Sequence, residues 1–260
     1  MSAFDLLTKP PVNPINNSGV AVRGQSAMWN DCPMTDIRAD WNRGYHTEHD
    51  FTDGPVLTSR YTNTATGTSG AGTFTIASEE GGVATMDAGA VTTIGRGSQV
   101  QQATTVGAFI ATATTGRIWF ETRVKGTNIV DFLGAIGLAT IDTAVLTSNL
   151  ATFDVTDFIG FKSLLGTGTL TGTSIAATSA TSAAAAIGSL STAYQRIGFK
   201  VTNRSKVEFY LDGVLSASTV IATIPTGLMV PTFVTQAFGG GTQPTLSIDW
   251  FRCYVEQVSS

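Results

Sequence analysis

Charge, cysteine and long apolar runs are all scarce in this chain of 260 residues. Asp, Glu, Lys and Arg together make up 13% of it, about half the usual share, and the formal net charge is −4. Neither value favours nucleic acid or an anionic membrane as a partner. No apolar run of about 18 residues occurs, so no membrane-spanning helix is expected. The first ten residues lack a basic region followed by an apolar stretch, so no signal peptide is expected.

Residues for metal binding are also few. Both histidines lie in His46-Thr47-Glu48-His49-Asp50, whose residue types suit a transition metal. On a strand, however, positions 46 and 49 point to opposite faces. We therefore expect no metal site and no cofactor. The two cysteines, Cys32 and Cys253, are far apart, and a bridge between them stays open as an alternative, although a chain that depends on oxidation usually carries more cysteines.

Strand-like segments separated by turn signals fill the chain from residue 46 onward. The clearest is residues 117–125, in which apolar and polar side chains alternate. Asp212-Gly213 is a strong hairpin signal. Residues 165–192 consist mostly of Gly, Thr, Ser and Ala, and we interpret 174–178 as an edge strand and the remainder as a mobile loop. The recurring turns indicate a β-sandwich rather than alternating βα units.

The first 45 residues differ from the rest of the chain. Their prolines block helices and central strands, which leaves extended or turn backbone. Disordered tails are usually poor in aromatic residues, so we expect this arm to dock, either on a partner or back over its own domain. The sequence predicts an N-terminal arm at 1–45 and one β domain at 46–260. The apolar landmarks of the arm are Phe4, Leu6, Leu7, Trp29 and Trp41.

Two late segments carry a family resemblance. Glu208-Phe209-Tyr210-Leu211-Asp212-Gly213 is followed by a closing run with Ile248-Asp249-Trp250. This order resembles the concanavalin-like jelly roll shared by legume lectins, laminin-G modules and family-16 glucanases. The resemblance implies an all-β fold, a concanavalin-like jelly-roll β-sandwich with an extended N-terminal arm. It also implies that the closing strand pairs with an early strand around Phe51, with Ile248 and Trp250 on the buried face.

Catalytic residues are not evident. The glucanases of this fold place Glu-x-Asp-x-x-Glu on one strand, which puts two carboxylates on the same face for hydrolysis. This chain has no such motif, because Glu121 lies alone on its strand and Glu208 precedes a turn. We therefore expect no enzyme and no catalytic residue. A polysaccharide-degrading enzyme with an altered site remains the third alternative.

The arm, the Thr- and Gly-rich surface and the lack of a catalytic pair together resemble structural proteins of tailed bacteriophages. The resemblance implies a homo-oligomeric virion protein, made in the host cytoplasm, that decorates or cements a capsid. Its partners would be the major capsid protein or other virion proteins, bound through the arm. The alternative is a carbohydrate-binding adhesion module of a phage tail or secreted complex, which would bind glycan through Trp119, Tyr194 and Tyr210, with Trp250 as a further aromatic candidate.

Overall fold

The structure is a computed structural model. It describes residues 27–52, 57–66, 72–77, 82–89, 94–105, 108–110, 115–147, 153–163, 167–176, 180–221, 223–239 and 242–257. A 3-10 turn at Ala27–Trp29 precedes helix α1, Met34–Ala39, and helix α2 is Leu57–Arg60. Neither helix in this part of the chain has the length and apolar character needed to cross a membrane.

Strands make up most of the described residues. They are β1 Gly44–His49, β2 Tyr61–Thr66, β3 Phe74–Ala77, β4 Val83–Asp87, β5 Gly97–Gln102, β6 Phe109–Ile110, β7 Thr115–Thr127, β8 Phe132–Thr140, β9 Phe158–Ser163, β10 Thr169–Ala176, β11 Ala180–Ser189, β12 Gln195–Thr202, β13 Lys206–Leu211, β14 Val214–Val220, β15 Leu228–Ala237 and β16 Thr245–Gln257.

The strands form two antiparallel sheets. The first sheet has the order β14-β13-β12-β7-β16-β4-β3, and β1 pairs with the second half of β16. The second sheet has the order β11-β10-β9-β8-β15-β5-β2, and β6 pairs with β15. The closing strand therefore lies in the middle of the first sheet. It pairs with the early strand β1, in which His49 lies opposite Phe251, so the predicted pairing of the two sequence ends is confirmed.

The two sheets share one apolar core. Phe161 of β9 lies 5.5 Å from Phe209 of β13, and Phe233 of β15 lies 5.8 Å from Phe251 of β16, measured between ring centroids. Aromatic side chains from both layers thus interlock, as expected for a β-sandwich. The all-β class and the sandwich architecture predicted from the sequence are confirmed. In the first sheet, the side chains that point away from this core form what we call its outer face.

A β-bulge divides the closing strand. Ile248 lies opposite Val124 of β7, but Trp250 lies opposite the next residue, Arg123, which leaves Asp249 as the extra residue. Beyond this point the alternation is reversed. Phe251 is buried in the core with a relative exposure of 1%, whereas Trp250 is half-buried on the outer face. The expectation that Ile248 and Trp250 share the buried face is therefore wrong, because the bulge inverts the side-chain pattern between them.

Three local predictions have different outcomes. The hairpin at Asp212-Gly213 is confirmed, and both residues have positive φ, 49° and 84°, as a tight two-residue turn requires. The interpretation of residues 165–192 as mostly loop is wrong, because 180–189 form strand β11 paired with β10. His46 and His49 point to opposite faces of β1 as expected, since His46 stacks on Tyr254 while His49 bonds the hydroxyl of Tyr61.

The two cysteines lie on opposite sides of the first sheet. Cys253 belongs to the core between the sheets, whereas Cys32 belongs to a separate cluster on the outer face. Both are buried, and neither forms a disulfide bond. The alternative of a bridge between them is therefore not realised, and burial raises the pKa of each thiol.

Candidate functional site

The outer face of the first sheet carries a dense array of aromatic and charged side chains. Alternation along β7 directs Trp119, Glu121, Arg123 and Lys125 away from the core. The bulge in β16 adds Trp250, Arg252 and Tyr254 to the same face. This array therefore brings aromatic and charged residues from separate strands together on one face.

Residues 27–43, which we call the cover segment, pack over one half of this face. Met28, Trp29, Cys32, Met34 and Ile37 form an apolar cluster with Trp119, Tyr210 and Tyr254 of the sheet. The Met28 methyl group packs over Gly198, where a Cβ would lie 2.9 Å from it and 2.8 Å from the backbone oxygen of Phe120. We call the region beneath this segment the sealed half of the outer face; its sheet residues are Trp119, Glu121, Tyr210 and Tyr254.

Glu121 is the central carboxylate of the sealed half. It is 1% exposed and accepts hydrogen bonds of 2.7 Å from Trp29 Nε1 and from Arg252 Nη2. The Arg252 guanidinium also lies 4.2 Å from the Trp29 ring centroid. A buried carboxylate needs such partners, since an unpaired charge in this position is strongly unfavourable. Through Trp29, the cover segment therefore supplies one of the two hydrogen bonds that replace water at the Glu121 carboxylate.

Two further carboxylates attach the cover segment to the sheet. Asp31 accepts from Lys200 Nζ at 2.5 Å and from Arg117 Nη1 at 2.9 Å. Burial alone would raise the pKa of Asp31, but the bond from Lys200 and the charges of both cations outweigh it, and the pKa is lowered. Glu48 of β1 likewise has a lowered pKa, because bonds from Arg38 and Tyr254 outweigh its burial.

The open half of the outer face lies beyond the cover segment. It consists of Arg123, Lys125, Tyr194, Arg196 and Trp250. The Arg123 guanidinium and the Lys125 ammonium each lie 4.4 Å from the Tyr194 ring centroid. Arg123 also forms an ion pair with Asp249, the bulge residue. Trp250 and Tyr194 are both half-buried, so each ring presents part of its surface to solvent.

A groove lies where Trp250 and Arg252 of β16 meet the cover segment and the end of β1. Its cavity volume is about 460 Å³, within the range of about 300–1,000 Å³ typical of small-ligand sites. Arg252 is shared by the two halves of the outer face, since its guanidinium lies between the Trp29 ring and the Trp250 ring, 5.2 Å from the latter. The groove is lined by Arg38, Glu48, His49, Asp50, Arg60, Trp250, Phe251 and Arg252. Aromatic surface, three guanidinium groups and two carboxylates thus converge on one concave site.

The sequence-based glycan candidates separate into the two halves. Trp119 and Tyr210 are buried beneath the cover segment, with exposures of 0% and 8%, so neither is accessible to a glycan in this conformation. Tyr194 alone of the three lies in the open half. Trp250 was a further aromatic candidate, but its exposure was not predicted, because strict alternation places it in the core. One signal was available: the apolar residues 246 and 248 are out of phase with 251, 253 and 255.

The arm residues also have different positions. Trp29 is 1% exposed and packs against the sheet of its own domain, whereas Trp41 is 81% exposed. Phe4, Leu6 and Leu7 lie outside the described residues. The expected boundary between 45 and 46 falls within β1. Within the described ranges, no group of three or more His, Cys, Asp or Glu is arranged to hold a metal ion.

Comparison with known proteins identifies the fold but no family. No family model and no curated protein matches the sequence. A protein of unknown function from Shewanella oneidensis MR-1 is similar in structure, with a TM-score of 0.56 at 14% identity over 88% of this chain and 95% of its own. The Bacillus licheniformis β-glucanase has a TM-score of 0.55 at 12% identity over 84% and 99%.

A third similar structure is that of a botulinum neurotoxin type C, whose cell entry depends on interaction with two ganglioside molecules. Its TM-score is 0.55 at 8% identity, and the match covers 87% of this chain and 50% of the toxin chain. Identities this low show the fold alone. The two sheets, the central closing strand and these neighbours together establish that this chain has the concanavalin-like jelly-roll fold.

Proposed function

We propose that this protein binds carbohydrate at the open half of the outer face and does not hydrolyse it. The observation that carries the proposal is Trp250, which the Asp249 bulge directs out of the core to the wall of a groove of about 460 Å³. Bulges that re-aim a side chain are frequent beside functional sites. A bulge that merely relieved strain would not need to bring a tryptophan to the surface.

The chemistry of the groove suits a sugar ring. One face of a pyranose is a row of C–H groups, which packs well on the flat surface of Trp250. Its hydroxyl groups need donors and acceptors held in fixed positions. Arg252 and Asp50 line the groove and offer both. Since Arg252 is already fixed by Glu121, it loses little conformational freedom when it binds a ligand.

The carboxylates of this face argue against hydrolysis. A glycosidase needs a general acid whose pKa is raised, next to a second carboxylate that is free to act as base or nucleophile. Here Glu121 is enclosed by two donors, and the pKa values of Asp31 and Glu48 are lowered by their cationic partners. Asp31 and Glu48 are thus held as ionised structural partners and Glu121 is engaged in structural hydrogen bonds, so binding without bond cleavage is the function that this arrangement favours.

The proteins of similar fold support a glycan ligand, and they do not test the hypothesis of a virion protein. They include glucanases and a toxin that depends on gangliosides, so the jelly roll is a scaffold that glycan-binding proteins use. A virion location, a capsid partner, attachment through the arm and a homo-oligomeric state stay predictions, because no observation on the described residues bears on them.

The test is a glycan array followed by calorimetry on the strongest ligand. We expect at least one oligosaccharide to bind, and Trp250→Ala to lower its affinity about 10-fold, equivalent to about 1.4 kcal/mol. Trp41→Ala is the matched control, because it removes an exposed tryptophan outside the groove and should leave affinity unchanged. A reducing-end assay on the same ligand should detect no product. Absence of any ligand, equal effects of the two variants, or released sugar would contradict the proposal.

A further inference from the structure

The open half contains an unusual pair of like charges. Arg196 of β12 lies directly opposite Arg123 of β7 in the antiparallel register, and Trp250 lies opposite Arg123 on its other side. All three side chains belong to the outer face, because their neighbours Ile197, Val124 and Phe251 are in the core. Side chains opposite each other on paired strands are about 5 Å apart at Cβ, where like charges are destabilising.

The acidic groups nearby compensate only part of this charge. Asp249 pairs with Arg123. Asp212 accepts a hydrogen bond from the backbone N–H of Arg196 through its carboxylate, while the Arg196 guanidinium contacts only the backbone oxygen of Asp212, at 3.4 Å. Arg196 makes no ion pair with any described residue. Of the two opposed guanidinium groups, the one of Arg196 therefore has no carboxylate partner among the described residues.

Tyr194 holds Arg123 and the neighbouring Lys125 in place. Its ring lies 4.4 Å from both the Arg123 guanidinium and the Lys125 ammonium, so the cations are fixed above an aromatic surface rather than extended into solvent. Guanidinium groups on adjacent strands present a planar set of donors, which matches a carboxylate or a sulfate. A bound anion would also remove the repulsion between Arg196 and Arg123.

We infer that the ligand of the open half is an acidic saccharide, whose carboxylate or sulfate group binds between Arg196 and Arg123 while a neighbouring sugar ring packs on Trp250. This inference rests on the proposed carbohydrate-binding function and specifies its ligand class. The anionic group supplies the partner that the Arg196 guanidinium lacks among the described residues, and the row of Arg196, Arg123 and Trp250 sets the direction of the glycan across the strands.

The test compares acidic polysaccharides with neutral counterparts of the same backbone. Polygalacturonate against its methyl ester reports on a carboxylate, and dextran sulfate against dextran reports on a sulfate. We expect at least one acidic member to bind about 10-fold more tightly than its neutral counterpart. Arg196→Gln should abolish this preference, while affinity for the neutral polymer is retained. The pair that shows the preference identifies the anionic group.

Arg43→Gln is the matched control, because it removes the same charge from an exposed residue of the cover segment. Equal losses in the two variants would mean that the preference reflects overall charge, which overturns the inference. Equal affinity for acidic and neutral polymers, with binding still sensitive to Trp250→Ala, would overturn the inference and leave the proposed function intact. No binding to any polymer or array glycan would overturn both.

Discussion

The sealed and open halves of the outer face are built from the same strands but have different roles. In the sealed half, Trp119 and Glu121 of β7 contact Trp29 and Asp31 of the cover segment and are withdrawn from solvent. In the open half, Arg123, two positions further along the same strand, remains 41% exposed. Two residues on the same face of one strand can therefore have different roles. The cover segment makes the difference, because it buries Trp119 and Glu121 and leaves Arg123 accessible.

Replacement of Trp29, which packs the cover segment onto the sealed half, should reduce the stability of the protein most. Trp29→Ala takes away a buried ring and one of the two hydrogen bonds to Glu121, so we expect the free energy of unfolding to fall by about 3–5 kcal/mol. Trp29→Phe keeps most of the packing and loses the indole donor, and about 1–3 kcal/mol is expected. Urea unfolding measures both changes.

The control for this prediction is Trp41→Ala, in the same segment but 81% exposed, for which a change within about 0.5 kcal/mol is expected. If Trp29→Ala were equally mild, the cover segment would not be packed on the sheet, and the two halves of the face would be equivalent.

A smaller loss of unfolding free energy is expected when the pH is lowered. Asp31 and Glu48 have folded pKa values below their reference values of 3.8 and 4.5. Their stabilising contribution is therefore present above those reference values and is lost as the pH falls through the lower folded values. Both side chains are partly exposed, so each contributes at most about 1 kcal/mol.

The measurement for this prediction is the difference in unfolding free energy between the wild type and an Asp31→Asn, Glu48→Gln double variant. The difference should be greatest at neutral pH and vanish under acid. Asp36→Asn, which removes a carboxylate of α1 that makes no ion pair among the described residues, should show little difference at any pH. A gap between wild type and double variant that persisted in acid would mean that these carboxylates do not act through their charge.

The sequence predicted the sandwich well because its signals are local. The alternation along residues 117–125 and the turn at Asp212-Gly213 each specify their own geometry, and both are confirmed. The Ala-rich residues 180–189 were not predicted as a strand, since their intrinsic preference is helical. They form β11 because β10 offers an edge to pair with, and this non-local partner outweighs local propensity.

The candidate site was harder to predict because it depends on two non-local features. Trp119 has the sequence context of an exposed strand residue, and only the cover segment removes it from solvent. Trp250 has the context of a core residue, and only the bulge brings it out. In each case the prediction followed strict alternation, which holds within a regular ladder and fails where a residue is inserted or another layer is added.

The most direct test of the account concerns two adjacent residues of the closing strand, Trp250 and Phe251. The bulge at Asp249 places Phe251 in the core and Trp250 on the open half of the outer face. Urea unfolding of the two alanine variants should therefore show a loss of about 3–5 kcal/mol for Phe251→Ala and about 1 kcal/mol or less for Trp250→Ala. A loss for Trp250→Ala as large as that for Phe251→Ala would contradict the account, because Trp250 would then be a core residue and not available to a ligand.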